Sequence, residues 1–242
     1  MPIPKVILIT GASSGIGEAT ARHLAKLGNQ VVLGARRLER IEKIAGEIAS
    51  GGGDAMAQKL DVTTMQSIRD FVAVGHTRYG RVDVLVNNAG VMPLSFLAEL
   101  RVDEWNQMID VNLRGTLYTL AAALPIMLAQ RSGHIINVAS VSAYRADPTA
   151  AVYSATKFAV RALSEGLRQE SKDVRVTVVS PGLTRTELFD GIASQDARAF
   201  AKQMVAQSSI APSAIAEAIG FAISQPDGVD VNELVVRPTS QN

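Results

Sequence analysis

The sequence predicts a single-domain α/β fold, a doubly wound parallel sheet of about seven strands with helices on both faces. Short apolar runs alternate with longer helical patterns throughout the 242 residues, which is typical of strands joined by crossover helices. Most of these runs are continuous in Val, Ile and Leu, as expected for parallel strands that are covered on both faces. Hydrophobic residues make up 47% of the chain, and no linker or internal repeat interrupts it. One domain is therefore predicted over residues 1–242.

The continuous apolar runs are the predicted strands, and the longer amphipathic patterns between them are the predicted helices. In chain order the strands cover residues 6–10, 30–35, 54–60, 84–87, 134–139, 174–179 and 233–236. The helices cover residues 15–28, 37–50, 64–80, 103–130, 150–172 and 213–224. Pro125 lies inside the pattern 103–130, and proline lacks the amide hydrogen that a helix needs, so a kink or an end is expected there.

The segment 182–212 differs from the other connections. It follows a predicted strand, mixes polar residues with bulky ones such as Leu188 and Phe189, and is long for a connection in a compact domain. Ligands of doubly wound folds bind at the carboxyl ends of the strands. A substrate lid is therefore predicted at about 182–212.

Composition excludes several classes of function. The net charge of +1 and the 5% of aromatic residues argue against binding to nucleic acid or anionic lipid, and the absence of cysteine excludes thiol chemistry. His23, His76 and His134 stand singly, so no metal site is predicted, and each is expected at the surface or an edge. No stretch is expected to be long enough to cross a membrane, and the first residues lack the regions of a signal peptide. A cytoplasmic location is the default expectation.

A glycine-rich stretch follows the first predicted strand and opens the first helix. Gly11, Gly15 and Gly17 let the backbone turn tightly and approach a pyrophosphate, while the helix N-terminus offers unpaired amides and partial positive charge. Ser13 and Ser14 can add hydroxyl hydrogen bonds. A plain strand–helix turn is the alternative, and the glycines alone are weak evidence. Their place between strand and helix predicts a dinucleotide site.

The end of the second strand indicates which dinucleotide is bound. A carboxylate there would bind the ribose 2′-hydroxyl of NAD, whereas an arginine accommodates the 2′-phosphate of NADP. This chain has Arg36 and Arg37 and no carboxylate at that point. Alternatively, the two arginines are solvated residues that open a helix, where positive charge is mildly unfavourable. NADP is therefore favoured over NAD.

Four polar residues form a candidate proton-transfer group. Tyr153 and Lys157 are four residues apart and share one helix face, and the lysine ammonium is expected to lower the tyrosine pKa. Ser140 closes a predicted strand, where its hydroxyl can bind a substrate oxygen. Asn112 lies inside a helical pattern, where an amide needs a reason such as a held water or a kink. Each residue alone also has an ordinary structural reading, and it is their coincidence with the glycine loop that favours catalysis.

These residues resemble the short-chain dehydrogenase/reductase superfamily over nearly the whole chain, which implies a Rossmann-like fold. The motif at residues 10–17, the run from Asn87 to Gly90, and Asn112, Ser140, Tyr153 and Lys157 match it in order and spacing. The resemblance implies that Tyr153 transfers the proton, Lys157 holds the nicotinamide ribose, Ser140 orients the substrate oxygen and Asn112 fixes a water. The cofactor-binding residues that it implies, with the residues named above, are Gly11, Ser13, Ser14, Gly15, Ile16, Gly17, Arg36, Arg37, Asp61, Val62, Asn88, Ala89, Gly90, Tyr153, Lys157, Pro181, Gly182, Thr184 and Thr186.

The resemblance also implies a reaction and an assembly. Within the superfamily the chain is most similar to NADP-dependent carbonyl or alcohol reductases, and also to enzymes that oxidise serine-like 3-hydroxy acids and to clavulanic acid dehydrogenase. It lacks the Asp-Gly-Gly turn before the last strand of many fatty-acid reductases, which disfavours acyl-carrier substrates. A homodimer or homotetramer is implied, with Trp105, Leu117 and Phe158 either at the interface or in the core.

The predicted function is hydride transfer between NADP(H) and a small to medium carbonyl or secondary alcohol. A 3-hydroxy acid substrate is the alternative, for which Arg145 and Arg185 are the nearby cations. An NADP-binding sensor or scaffold without turnover is the alternative from another class. No flanking glycines surround Ser140 as a hydrolase nucleophile would require. The residues predicted to surround the substrate are Met92, Ser142, Tyr144, Ala150, Leu183, Leu188 and Phe189.

Overall fold

The computed structural model describes residues 4–192 and 195–241 and has the predicted architecture. A single sheet of seven parallel strands runs in the order β3-β2-β1-β4-β5-β6-β7. The strands are β1 Val6–Thr10, β2 Gln30–Ala35, β3 Asp54–Lys59, β4 Val84–Asn87, β5 Gly133–Val138, β6 Val174–Pro181 and β7 Glu233–Val236. The helices are α1 Gly15–Lys26, α2 Leu38–Ser50, α3 Met65–Tyr79, α4 Val102–Met108, α5 Gly115–Gln130, α6 Ala151–Glu170, α7 Gln195–Gln207 and α8 Pro212–Ser224.

The strand order creates the crevice in which a ligand can bind. β1 pairs with β2 on one side and with β4 on the other, so the chain reverses its direction of travel across the sheet at β1. In doubly wound sheets such a switch point opens a crevice at the carboxyl ends of the strands. The loops that follow β1, β4, β5 and β6 meet at this edge.

Two hydrophobic clusters cover the two faces of the sheet. In β1, Ile7 and Ile9 belong to the cluster that includes residues of α1, α2 and α8, whereas Val6 and Leu8 belong to the cluster that includes residues of α3, α5 and α6. Successive side chains of a strand point to opposite faces, so a strand buried on both faces must be apolar at every position. This explains the continuous apolar runs of the sequence.

The predicted elements are all present, with ends that differ by a residue or two. Helix α7 was not predicted and lies within the segment expected to be a lid. Of the kink or end expected at Pro125, the end is wrong, because α5 continues through Pro125 to Gln130, and the kink stays a prediction. A different irregularity occurs earlier, where Ile109–Arg114 joins α4 to α5 as a π-helical segment.

The stretch Val102–Gln130 corrects the expectation that no segment is long enough to cross a membrane. By length and composition alone it meets that test, and 39% of its apolar window is buried inside the protein. In the fold it packs against α3 and α6.

Leu117 and Phe158, on α5 and α6, are 43% and 42% exposed, so core packing is the wrong reading for both. Their place in an interface stays a prediction.

His134 is not at the surface or an edge, contrary to expectation. It lies near the start of β5 in the middle of the sheet and is 2% exposed. Its Nε2 lies 2.8 Å from Oγ1 of Thr177, and burial lowers its pKa to about 3. His134 is therefore neutral at physiological pH and has a structural role in the sheet.

Candidate active site

The glycine loop forms a tight cradle between β1 and α1. Gly11 and Gly15 have φ of 66° and 57°, a left-handed conformation that favours glycine. A Cβ atom at Gly11 would lie 2.8 Å from Cα of Ala89, so a larger residue would not fit. Ser14 caps α1 without a side-chain hydrogen bond to its amides. The first amides of α1 therefore remain available to an anionic group such as a pyrophosphate.

Asn88 joins this cradle to the loop after β4. Its Nδ2 donates to the carbonyl oxygens of Thr10 at 3.0 Å and Gly11 at 3.1 Å. In return, Oγ1 of Thr10 accepts hydrogen bonds from the amides of Asn88 and Ala89, both at 3.0 Å. The structure thus brings together the predicted cofactor residues of the glycine loop and of the run from Asn88 to Gly90.

Asp61, Val62 and Arg36 lie at the carboxyl ends of β2 and β3. Hydrogen bonds from the hydroxyl and the amide of Thr63 to Asp61 lower the pKa of this carboxyl, and the charge of Arg36 adds to the effect. Val62 is 8% exposed and packs against the backbone of Gly115. Arg36 is exposed and has no ion-pair partner within the described part of the chain.

Arg37 has a different environment from Arg36. Its Nη2 donates to the hydroxyls of Ser13 and Ser14, both at 2.9 Å, and its Nη1 forms an ion pair with Glu187 at 2.7 Å. Arg40 pairs with the other oxygen of Glu187 at 2.8 Å. Arg37, and to a lesser extent Arg40, lower the pKa of Glu187 to about 2.

Glu187 was missed in the sequence analysis. It belongs to the predicted lid, and its partners on α2 are distant in sequence. The only signal available beforehand was its position next to the predicted cofactor residue Thr186, because a contact between elements so far apart leaves no local pattern.

The first part of the predicted lid lies over the glycine loop. A Cβ atom at Gly15 would lie 3.0 Å from the methyl carbon of Thr186. The amide of Gly182 donates to the carbonyl of Val236 at 2.8 Å, and Thr184 pairs with Ile210 in an isolated parallel bridge. The first contact fixes the start of the segment to β7, and the second holds the two ends of the segment together. Residues 193 and 194 of this segment lie outside the described residues.

The proton-transfer residues meet at the carboxyl ends of β5 and β6. Tyr153 and Lys157 are each 5% exposed, and the ammonium nitrogen of Lys157 lies 5.8 Å from the centroid of the Tyr153 ring. Lys157 donates to the carbonyl of Val138 at 2.9 Å. Ser140 follows β5, and its hydroxyl forms a hydrogen bond with the Tyr153 phenol. The structure therefore brings the predicted acid, its lysine and its serine together, with Tyr153 and Lys157 buried and Ser140 partly exposed.

The expected effect of Lys157 on the tyrosine is not found. Burial raises the pKa of Tyr153 to about 12, which outweighs the opposite effect of the hydrogen bond with Ser140. Burial also lowers the pKa of Lys157 to about 8. Removing either charged form from water is costly, and this cost sets the direction of both shifts. In the protein without its cofactor, the Tyr153 phenol is protonated at neutral pH.

Asn112 lies in the π-helical segment and is 2% exposed. Its Oδ1 accepts from the amide of Val91 at 2.8 Å, and its Nδ2 donates to the carbonyl of Val91 at 3.0 Å and to Oγ1 of Thr156 at 3.2 Å. The backbone carbonyl of Asn112 accepts from the Thr116 hydroxyl. Both amide hydrogens of the Asn112 side chain are thus bonded within the protein. The kink or held water expected at this amide corresponds in the structure to a π-helical irregularity of the helix.

The predicted substrate residues lie in the loops that follow β4, β5 and β6. Tyr144 is 38% exposed, its ring lies 4.6 Å from the guanidinium of Arg161, and its hydroxyl donates to Ser180 at 3.4 Å. Ala150 is buried just before α6. The others occupy the loops after these strands: Met92 after β4, Ser142 after β5, and Leu183, Leu188 and Phe189 after β6. Their role toward a substrate stays a prediction.

Comparison with known proteins identifies the class to which this fold and site belong. The family model for short chain dehydrogenase matches residues 5–197. An uncharacterized oxidoreductase of Staphylococcus saprophyticus is 48% identical, and the alignment covers 98% of this chain and 97% of the relative. The chain belongs to the short-chain dehydrogenase/reductase superfamily and is an oxidoreductase of that family.

Two solved structures are similar over almost the whole chain. An alcohol dehydrogenase from the archaeon Thermococcus sibiricus, complexed with 5-hydroxy-NADP, has 36% identity and a TM-score of 0.90, covering 99% of both chains. A closed form of serine dehydrogenase complexed with NADP+ has 32% identity and a TM-score of 0.89, covering 98% of this chain and 96% of the other. A nicotinamide dinucleotide fits the cradle described above.

Proposed function

We propose that the protein transfers a hydride between NADP(H) and a small to medium ketone, aldehyde or secondary alcohol. The observation that carries this proposal is that buried Tyr153 and Lys157 and partly exposed Ser140 meet at the sheet edge that also holds the glycine cradle. A protonated phenol next to a dinucleotide site has the two components that carbonyl reduction needs, a proton donor and a hydride donor.

In this proposal the glycine loop and Lys157 would hold a nicotinamide dinucleotide, which would supply the hydride for reduction or take it up in oxidation. Tyr153 donates its phenolic proton to the carbonyl oxygen, and Ser140 holds that oxygen by a hydrogen bond. Since the Tyr153 pKa is about 12 before the cofactor binds, the phenol is in the form that reduction requires. Lys157, whose ammonium nitrogen lies 5.8 Å from the centroid of the Tyr153 ring, would hold the nicotinamide ribose beside the phenol.

The preference for NADP(H) is proposed from the charges around the cradle. Arg36 is exposed at the end of β2 next to Asp61, in the position where a 2′-phosphate would lie. Arg37 lies against the hydroxyls of Ser13 and Ser14. Guanidinium groups and hydroxyls together suit a phosphate dianion, since both donate hydrogen bonds to its oxygens. The NADP ligands of the two similar structures support this assignment.

The segment 182–212 is proposed to be the lid of this site. It is fixed at its base by the pairing of Thr184 with Ile210, and its first part is held over the glycine loop by Thr186 and Glu187. The ion pairs of Glu187 with Arg37 and Arg40 connect the lid to α2 on the cofactor side of the crevice. These ion pairs are half-exposed, so they can break and form as a lid opens and closes.

Glu187→Gln is expected to release both NADPH and NADH faster, by about threefold, because exposed ion pairs contribute up to about 1 kcal/mol. Stopped-flow displacement of the bound cofactor measures this rate. Glu42→Gln removes the same charge from the exposed face of α2 and serves as the matched control. If Glu187→Gln instead tightened the binding of NADPH alone, Glu187 would compete with the 2′-phosphate for the arginines and would not be a contact that closes the lid.

A 3-hydroxy acid is the second candidate substrate, favoured by the similarity to serine dehydrogenase. A carboxylate needs a cation near the reacting carbon, and Arg185 lies at the base of the lid, where its Nη1 contacts the carbonyl of Ser209. Arg185→Ala is then expected to raise KM for a 3-hydroxy acid by about tenfold while sparing neutral ketones, since one charged hydrogen bond is lost. Equal losses on both substrates would indicate that Arg185 only supports the lid. The cytoplasmic location and the homo-oligomer stay predictions.

A further inference from the structure

A residue that stands between the predicted acid and its lysine in the sequence carries a buried hydroxyl. Thr156 is on α6 and is 3% exposed. Its Oγ1 donates to the carbonyl of Tyr153 at 2.7 Å and accepts a hydrogen bond from Nδ2 of Asn112 at 3.2 Å. The hydroxyl therefore connects Asn112, in the π-helical segment, to the turn of α6 that carries Tyr153 and Lys157.

The other side of Asn112 holds the segment that is predicted to line the cofactor. The two hydrogen bonds with the backbone of Val91 fix the chain directly after Gly90. An asparagine amide has two donor hydrogens, and here one goes to Val91 and one to Thr156. Asn112 thus joins two segments and has no further hydrogen to give to a water or a substrate.

Gly90 shows how closely these segments approach each other. A Cβ atom at this position would lie 3.4 Å from Oδ1 of Asn112 and 3.8 Å from Nζ of Lys157. The Asn112 amide and the Lys157 ammonium therefore border the same small space beside the cofactor-lining segment. A displacement of Asn112 would alter the surroundings of Lys157 directly.

We propose that Thr156 is a positioning residue for the reaction: through Asn112, its hydroxyl holds the Tyr153–Lys157 turn in register with the cofactor-lining segment Asn88–Val91. This inference rests on the proposed function. Hydride and proton transfer require reacting atoms to be held about 3–3.5 Å apart, so a small displacement between these segments costs rate. The hydroxyl of Thr156 contacts neither the glycine loop nor the arginines, so binding of the dinucleotide is expected to change little.

The same helix offers a matched control. Ser154 is 1% exposed, and its hydroxyl has no hydrogen-bond partner among the described residues. Ser154→Ala removes a buried hydroxyl from the same turn of α6 without breaking a contact to Asn112. A loss that is specific to Thr156 therefore cannot be attributed to the general effect of removing a polar group from this helix.

The first test needs no turnover. In the full-length protein without cofactor, NMR follows solvent exchange of the Asn112 side-chain amide hydrogens, which are assigned by their disappearance in Asn112→Asp. Thr156→Val is expected to speed the exchange of one hydrogen by about tenfold or more, because its acceptor is lost. Thr156→Ser and Ser154→Ala are expected to leave the exchange as in the wild type. Unchanged exchange in Thr156→Val would overturn the proposed connection.

The second test separates positioning from binding. Thr156→Val is expected to lower kcat for ketone reduction by about tenfold, with the Kd for NADPH within about twofold of the wild type, and Thr156→Ser to restore kcat. Thr156→Ala gives the same comparison if the valine variant does not fold. Wild-type kcat in Thr156→Val, or an equal loss in Ser154→Ala, would overturn the inference. A wild-type protein without turnover would contradict the proposed function instead, and the amide exchange would still decide the role of Thr156.

Discussion

Tyr153→Phe is expected to lower kcat for ketone reduction by about 10³-fold, because it removes the proton donor and leaves the ring in place. The phenol is buried in α6 next to Ser140 and Lys157, so no solvent molecule readily replaces it as the acid. Binding of NADPH, followed by the fluorescence of the reduced nicotinamide, is expected to stay close to that of the wild type. The decisive measurement is thus a loss of kcat without a loss of affinity.

Tyr79→Phe is the matched control for this variant. The hydroxyl of Tyr79 donates to Asp54 at 2.9 Å. Asp54 is the first residue of β3, so it lies at the amino-terminal ends of the strands, opposite the crevice. Removal of the Tyr79 hydroxyl is expected to cost some stability and no activity. Wild-type kcat in Tyr153→Phe would show that another group supplies the proton, and the proposed mechanism would be wrong.

Replacement of both Arg36 and Arg37 by alanine is expected to weaken the binding of NADPH by about 100-fold and the binding of NADH far less. The reason is the loss of charged hydrogen bonds to the 2′-phosphate, which NADH lacks, at about 1.5–3 kcal/mol for each bond. Dissociation constants for both dinucleotides measure the difference directly. Arg78→Ala removes one positive charge from the exposed end of α3 and controls for the change in net charge of each single arginine variant.

The effect of the arginines on the phosphate site can also be distinguished from their effect on the lid. Arg37 contacts Glu187, so its loss affects the lid as well as the phosphate site, whereas loss of Arg36 leaves the ion pairs of Glu187 with Arg37 and Arg40 in place. The ratio of NADPH to NADH affinity is expected to fall in Arg36→Ala and to stay constant in Glu187→Gln. An unchanged ratio in the double arginine variant would contradict the assignment of NADP(H).

The fold and the cradle were predictable because their signals are local. Continuous apolar runs identify strands buried on both faces, and glycines after the first strand identify a close approach of backbones, here between Gly11 and Ala89. The spacing of Tyr153 and Lys157 places both on one face of α6. Such patterns depend on neighbours in the sequence, so the chain alone reveals them.

What could not be predicted depends on contacts between distant segments. Burial, and not the nearby lysine, dominates the pKa of Tyr153, and burial is a property of the assembled site. The contact of Arg37 with Glu187 and the contact of Asn112 with Val91 each join segments far apart in the chain. The buried His134 was misjudged for the same reason, because its position depends on the strand order.

The central claim is tested most directly by measuring oxidation of NADPH and of NADH with a panel of ketones, aldehydes and β-keto esters, together with the reverse reaction on the matching alcohols and 3-hydroxy acids. The account predicts turnover with NADPH, a clear preference over NADH, and loss of this turnover in Tyr153→Phe. Tight binding of NADPH without turnover on any of these compounds would contradict the proposed enzyme and favour a protein that binds NADP as a sensor or scaffold.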